Sequence, residues 1–291
     1  MEPTIIKLPI QSVGIITKAD EPRAQELQME VTRWLLKEGC AIYCSNPASR
    51  AATCQQVPEA ELPNLVDLII VLGGDGTLIH AATLIEDQQV ALFGVNVGTL
   101  GFLTEITTEE IFPALRNILD GNYALTRRSR LDASLIRGRS VQTRNLVLND
   151  AVIQRGALSR MLKLRVTVDS NHTTTYRGDG LIVATPTGST AYNMSVGGPI
   201  VHPAVDSITL TPISPHALTN RCICLPPGSL VDIEVVEAFG EVFYSADGRE
   251  GHLLELGDII RLKTSTRSIY VVRSYSRDYF SILRTKLKWG E

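Results

Sequence analysis

Apolar positions in the first third of the chain come in short unbroken runs, separated by stretches of helical spacing. The runs at 13–16, Ala41–Cys44, 68–72 and 92–95 are too uniformly apolar to lie half exposed, which predicts parallel strands buried on both faces. Between the first two, Pro22 opens a helix where its missing N–H costs nothing. Leu27, Val31, Trp34 and Leu35 recur along that helix, and Gly39 stops it. Strands alternating with helices predict a doubly wound α/β layer. After about Arg127 the period changes to two. Leu162, Leu164, Val166 and Val168 alternate with Lys163, Arg165 and Thr167; Val231, Ile233 and Val235 do so with Asp232 and Glu234; Ile260 and Leu262 do so with Arg261 and Lys263. Half-buried antiparallel strands give this pattern. Helical spacing returns at Tyr279–Leu287, with Phe280, Leu283 and Leu287 on one face. The expected fold is an N-terminal doubly wound α/β domain, then a mostly antiparallel β domain, with the C-terminal helix returning to the first. The expected boundaries are 1–127 plus 276–291, and 128–275.

Composition agrees with two domains. Of 291 residues, 44% are hydrophobic and 20% charged, enough apolar surface for a sizeable core and too little charge for a disordered chain. No apolar run approaches the ~20 residues of a spanning helix. The opening MEPTIIKLPIQ lacks the basic and apolar regions of a leader, and five cysteines without a dense framework read as a reducing cytosol, with Cys40, Cys44, Cys222 and Cys224 as buried or idle thiols. The net charge of −3 gives no overall attraction to nucleic acid or lipid. Charge is nevertheless segregated: residues 127–144 carry six arginines against one aspartate, and 261–288 carry eight basic residues against Asp278. These stretches suit solvated strand faces or subunit contacts, or else a polyanionic ligand or a nucleic acid.

Three stretches carry candidate chemistry. Gly73-Gly74-Asp75-Gly76-Thr77 follows a buried strand and opens a helical pattern. Its glycines would let phosphates approach backbone N–H groups at a helix N-terminus. An anion cradle does not itself need a carboxylate, so Asp75 has a separate role, either accepting a proton from an attacking hydroxyl or helping to hold Mg²⁺. The alternative is a plain turn. The second stretch, 94–103, lies at the same sheet edge and lacks the G-x-G-x-x-G spacing. In the third, 177–192, a strand runs into Pro186-Thr187-Gly188-Ser189-Thr190, small hydroxylated residues suited to a helix N-terminus facing an anion or to ordinary capping. Tyr192 and Ser195 follow a turn later. Asn149-Asp150 could read a base edge or ribose hydroxyls, or cap a turn. There is no G-x-x-x-x-G-K-[ST] loop, no protein-kinase signature, no H-E-x-x-H and no zinc-spaced cysteine pairs, and Asn193 stands where a nucleophile elbow before Ser195 needs glycine.

Taken together, the motifs resemble the NAD kinase family. They are GGDGT at 73–77, NVGTLGFL at 96–103, ND at 149–150, RGDGLIVATPTGSTAYNMSVGGPIVHP at 177–203, PHALTNR at 215–221, DG at 247–248 and LRTKLKWG at 283–290. GGDGT alone would not separate this family from lipid kinases of the diacylglycerol and sphingosine type. The resemblance implies Mg²⁺- or other divalent-cation-dependent transfer of the ATP γ-phosphoryl group to the adenosine ribose 2′-hydroxyl of NAD. It implies Asp75 as proton acceptor, and nucleotide contacts from Gly74, Gly76, Thr77, His80 and Phe102. Asn149 and Asp150 would hold the adenosine part, with Arg177, Asp179, Thr187, Ser189 and Asp247 also at the dinucleotide. The run Thr190, Ala191, Tyr192, Asn193, Met194 and Ser195 completes the implied site. No direct protein ligand for the metal is implied beyond a possible Asp75. The resemblance further implies a cytoplasmic homodimer or homotetramer with NAD and ATP as its partners, and neither nucleic acid nor membrane. Two departures stand out: Asp150 replaces a commoner Glu, and Arg249 replaces the Gln of an Asp-Gly-Gln motif. The competing readings are a lipid kinase sharing the glycine loop and a non-catalytic NAD(P)-binding sensor.

Overall fold

The computed structural model describes residues 9–45, 54–157, 161–249, 251–274 and 276–289, so the opening segment up to residue 8 lies outside the described residues. The chain divides into two units, Met1–Arg127 with Ile269–Glu291, and Arg128–Ser268.

The first unit is built on one eight-stranded sheet. Its order is Gln55–Gln56, Ala41–Cys44, Ser12–Thr17, Leu68–Gly73, Ala91–Asn96, Ile269–Val272, Leu125–Arg128, with Ile106–Thr107 also beside Ala91–Asn96. The inner pairings are parallel. Every residue of Leu68–Gly73 and Ala91–Asn96 is buried, as uniformly apolar sequence requires of strands covered on both faces. The helix Pro22–Lys37 has Pro22 in its first turn and is followed by Gly39 at φ +83°. It lays Ala24, Leu27, Val31 and Leu35 on the sheet core. From Ser12–Thr17 the chain moves toward one edge, and from Leu68–Gly73 toward the other. The strand order therefore reverses between these two, which is where open α/β sheets leave a ligand crevice beyond their carboxyl ends.

Three expectations change in this unit. The returning segment begins at Ile269, not at 276, because Ile269, Val271 and Val272 are buried in a strand that pairs in parallel with Ala91–Asn96. The terminal helix Tyr279–Leu287, capped by Asp278 through the Ser281 N–H at 2.9 Å, buries Ile282 and Leu283 and leaves Phe280 exposed. The reading of Cys44 as a buried or idle thiol fails. Pairing of Tyr43 with Gln55 and Cys44 with Gln56 brings Cys54 beside Cys44, and the two form a disulfide with Cα atoms 6.2 Å apart. Cys40, Cys222 and Cys224 are free.

The second unit holds two six-stranded antiparallel sheets. One runs Asn171–Gly178, Leu162–Val168, Val231–Ala238, Ile259–Thr264, Leu131–Arg137, Ser140–Val147; the other runs Ile223–Leu225, Ile208–Ile213, Gly180–Ala184, Asp150–Arg155, Val242–Ala246, His252–Leu254. Their facing side chains form one core, including Leu164, Val166, Ile233 and Leu262 from the first and Ile153, Val183, Leu210 and Tyr244 from the second. Period two holds in the first sheet and fails in two strands of the second. Gly180–Ala184 and Ile208–Ile213 are buried throughout, because Val152, Ile182, Ala184 and Ile213 form a further cluster on the opposite face, with Val196 packed on it. The arginine-rich stretch is not wholly solvated either. Arg128 and Arg130 are buried, and Arg130 Nε donates to the Arg267 carbonyl at 2.7 Å. Arg137 forks onto Asp258 at 2.9 and 2.7 Å.

Candidate active site

At the reversal point of the first unit's sheet lies a pocket of about 360 Å³, lined by Lys18, Gly73, Gly74, Asp75, Asn96 and Lys286 among others. The strand ends at Thr17, Gly73 and Asn96 open into it. So does the helix Asp75–Leu84, whose N-cap is Gly74 and whose end no side chain caps. First-turn N–H groups of such a helix have no intrahelical partner and attract anions. The glycines divide by purpose. A methyl at Gly73 would collide with the Thr77 side chain, so packing requires glycine there. Added carbons at Gly74 and Gly76 would meet none of the described atoms within 4 Å, so their bareness leaves room for a ligand.

Asp75 is bound more closely than the sequence suggests. Its Oδ2 accepts from the Phe102 N–H at 2.8 Å. Its Oδ1 accepts from the N–H groups of Leu103 and Thr104, both at 3.0 Å, and from the Thr104 hydroxyl at 2.9 Å. The second glycine-rich stretch is thus a loop fastened by this carboxylate. Gly101 is required by the same contact, since a methyl there would collide with Asp75 Oδ1 and Thr104 Oγ1. Behind the loop, Asn96 donates through Nδ2 to Thr104 Oγ1 at 2.9 Å and accepts from the Gly98 N–H at 2.7 Å. Lys286 stands 5.7 Å from the centre of the Phe102 ring. Sequence patterning misses Lys18, Lys286 and Thr104, because only tertiary pairing brings them to Asp75.

His80 does not line this pocket. Its Nε2 is 2.7 Å from Glu59, which also accepts from Ser45 Oγ at 2.8 Å. Burial raises the Glu59 carboxyl, and these hydrogen bonds outweigh it, leaving it below the ordinary range.

In the second unit, the register sets Asp150 opposite Ala184 and Ala151 opposite Ala246, so Asn149-Asp150, Thr185 and Asp247 share one end of three adjacent strands. Asp247 adopts a left-handed φ of +52° and accepts the N–H groups of Leu148, Asn149 and Asp150 at 2.9, 2.6 and 3.2 Å. Burial still leaves its carboxyl raised, although those N–H groups and Arg249 oppose the shift. Asp150 is 5% exposed; burial, with Asp247 beside it, pushes its carboxyl up to about 7. Among the described residues, Asn149 Oδ1 is buried without a hydrogen-bond partner, an acceptor turned to no group of the chain. Arg249 turns back on the chain, its guanidinium donating to the carbonyls of Ala246 and Leu146 at 3.3 and 3.5 Å.

The hydroxyl-rich stretch differs from its expectation. Thr187–Thr190 forms a 3₁₀ turn without a side-chain cap, followed by a four-residue helix, Tyr192–Ser195, so no anion-facing helix of useful length begins there. A methyl at Gly188 would collide with the Asn149 backbone, which fixes glycine at this point. The side chains of Ser189 and Asn193 are occupied internally. Ser189 Oγ bridges Pro186 and Val201, while Asn193 donates to the Ser189 and Pro199 carbonyls and accepts from Thr211. Both are fully buried, and Thr187 nearly so. Thr190, Ala191 and Met194 are partly exposed; Tyr192 and Ser195 are exposed. Arg177 is exposed at a sheet edge, and Asp179 is paired with Arg155 at 2.6 Å.

The chain matches the model of the ATP-NAD kinase N-terminal domain over residues 13–123 and that of the ATP-NAD kinase C-terminal domain over 148–274. It is 43% identical to the NAD kinase of Geotalea daltonii over 283 residues, covering 97% of this chain and 100% of that protein. It is also 43% identical to the NAD kinase of Geobacter metallireducens, with the same coverage. Among solved structures, yeast NADH kinase complexed with NADH superposes with a TM-score of 0.89 at 28% identity, covering 97% of this chain and 89% of that one. An NAD kinase from Archaeoglobus fulgidus in complex with ATP shares the fold, with a TM-score of 0.74 at 23% identity, covering 96% of this chain and 99% of that one. With both domain models matched and relatives of this identity along nearly its whole length, the chain belongs to the NAD kinase family.

Proposed function

We propose that this chain phosphorylates NAD, moving the γ-phosphoryl group of ATP to the 2′-hydroxyl of the adenosine ribose to make NADP. The observation that carries this reading is the reversal-point pocket, where a bare helix N-terminus, two glycine loops and two lysines surround Asp75, with Glu21 also on the lining 3.5 Å from Lys18. Phosphoryl transfer needs in-line positioning and charge neutralisation more than covalent help. Gly74, Gly76 and the helix N-terminus receive the donor's phosphates, with Lys18 and Lys286 adding positive charge, while Asp75 takes the proton of the attacking hydroxyl. Asn149, Asp150 and the exposed part of 190–195 hold the dinucleotide; the buried Oδ1 of Asn149 suits a hydroxyl or amino donor on the adenosine.

Mg²⁺ supplies charge neutralisation when bound with ATP. Among the described residues no group of three acidic, His or Cys side chains gathers to hold an ion, so the phosphates of ATP would hold it in the main. Homo-oligomerisation as a dimer or tetramer belongs to the same proposal, testable by sedimentation. So does a cytoplasmic location, which rests on the supply of NAD and ATP and not on cysteine usage. No helix among the described residues is long and apolar enough to cross a membrane, and the lipid-kinase alternative is not favoured, since both matched domains are those of ATP-NAD kinases.

The test is purified protein with NAD and MgATP, NADP being followed by an NADP-specific dehydrogenase. NADP formation that requires both substrates supports the reading. Dinucleotide binding without NADP across donors and divalent cations would replace it with the sensor.

A further inference from the structure

We infer that Thr104 and Asn96 are positioning residues that aim one particular oxygen of Asp75, Oδ2, at the reacting hydroxyl. The inference rests on Asp75 being the proton acceptor and adds which of its atoms acts and what orients it. The chain of hydrogen bonds admits one assignment. The Gly98 N–H can only donate, so the Asn96 atom 2.7 Å away is its oxygen. The other end of that amide is therefore NH₂, and it donates to Thr104 Oγ1 at 2.9 Å. With its oxygen receiving that proton, Thr104 directs its own hydroxyl proton to Asp75 Oδ1 at 2.9 Å. The Leu103 and Thr104 N–H groups add two more donors to the same oxygen.

A carboxylate oxygen offers about two lone pairs, so three donors fill Oδ1. Oδ2 has the Phe102 N–H alone and keeps acceptor capacity. The relay is dry: Thr104 is fully buried and Asn96 is 5% exposed, which makes each missing partner costly and the orientation firm. On proton transfer, the ribose O–H bond breaks as its oxygen bonds to the γ-phosphorus, the proton passes to Oδ2, and the phosphorus–oxygen bond to ADP breaks. Thr104 and Asn96 keep their protons throughout.

The experiment is steady-state kinetics of Thr104→Val, Thr104→Ser, Asp75→Asn and the double variant Thr104→Val with Asp75→Asn, using NAD and MgATP. Val keeps the shape and the backbone N–H while removing the hydroxyl. The expected result is a 10- to 100-fold fall in kcat for Thr104→Val, with both KM values within about twofold. Thr104→Ser should restore most of that loss, and Thr104→Val should cost little more in the Asp75→Asn background. Wild-type kcat in Thr104→Val alongside an inactive Asp75→Asn would overturn the relay and leave the proton acceptor standing. A loss that multiplies fully in the double variant would also overturn it, marking a general packing defect. Near-normal turnover in Asp75→Asn would instead remove the proton-acceptor reading on which the relay depends.

Discussion

Replacing Asp75 with Asn exchanges one oxygen for an NH₂ group inside a ring of four donors, and the structure dictates which oxygen is lost. Placed at Oδ1, the NH₂ would face the Leu103 and Thr104 N–H groups and the Thr104 hydroxyl, forfeiting three hydrogen bonds. Placed at Oδ2, it faces the Phe102 N–H alone. The second orientation costs about 1–3 kcal/mol for one unsatisfied donor, and the first about three times that, so the amide turns its NH₂ to the Oδ2 position. The variant then keeps most of the loop clasp and presents a donor where a proton acceptor is needed. Loss of general-base assistance is worth ~10²–10⁴-fold in kcat. Three measurements read this: initial rates of NADP formation, the dinucleotide Kd by calorimetric titration, and the denaturant midpoint. The expected outcome is kcat down by ~10²–10⁴-fold, a stability loss of about 1–3 kcal/mol, and a Kd within a few-fold of wild type. Turnover within threefold of wild type refutes the reasoning. So does a stability loss above ~5 kcal/mol, which would mean the amide gives up the Oδ1 bonds instead.

Two further predictions follow from the charges. Lys286→Ala should raise the KM for ATP roughly five- to tenfold and leave that for NAD nearly unchanged, as expected for a phosphate contact; an unchanged KM for ATP in initial-rate assays would remove Lys286 from the donor site. Asp150 titrates near 7 in the folded chain against 3.8 unfolded, so its contribution to stability is whole below about pH 3.8 and is lost as pH rises through about 7. Asp150→Asn should therefore gain on wild type by about 2–3 kcal/mol between pH 5 and pH 8 in denaturant titrations; identical pH slopes for the two proteins would contradict a buried, raised carboxyl.

Legibility in the sequence follows how local each feature is. The strand at 68–72 and the helix behind Pro22 can be read because burial on both faces and helical spacing are properties of consecutive residues. Ile269–Val272 falls inside the expected second domain, 128–275, because nothing nearby says that it pairs with Ala91–Asn96. The glycine loops are visible for the same local reason. Their division of labour is not, since Gly74 and Gly73 differ only in what lies beside them. Asn193 and Ser189 have the chemistry of ligand contacts, and only Thr211, Pro199 and Val201 reveal that their bonding capacity is used within the fold. Thr104 escapes notice because its importance passes entirely through Asp75 and Asn96. Counting cysteines misjudges Cys44 and Cys54, because a count ignores the pairing of Tyr43 with Gln55 and Cys44 with Gln56.

The strand Ile269–Val272 bears on how the chain matures. It sits between Ala91–Asn96 and Leu125–Arg128, so the first unit's sheet stays divided until residues 269–272 have left the ribosome. All of Arg128–Ser268 is made before then and can form its own sheets, since domains generally fold as units during synthesis. The order of folding is thereby inverted relative to the order of translation: the unit that starts first finishes last. Lys286 arrives later still, so a ribosome stalled within the second unit carries a first unit with an open sheet and a pocket short of one of its two lysines.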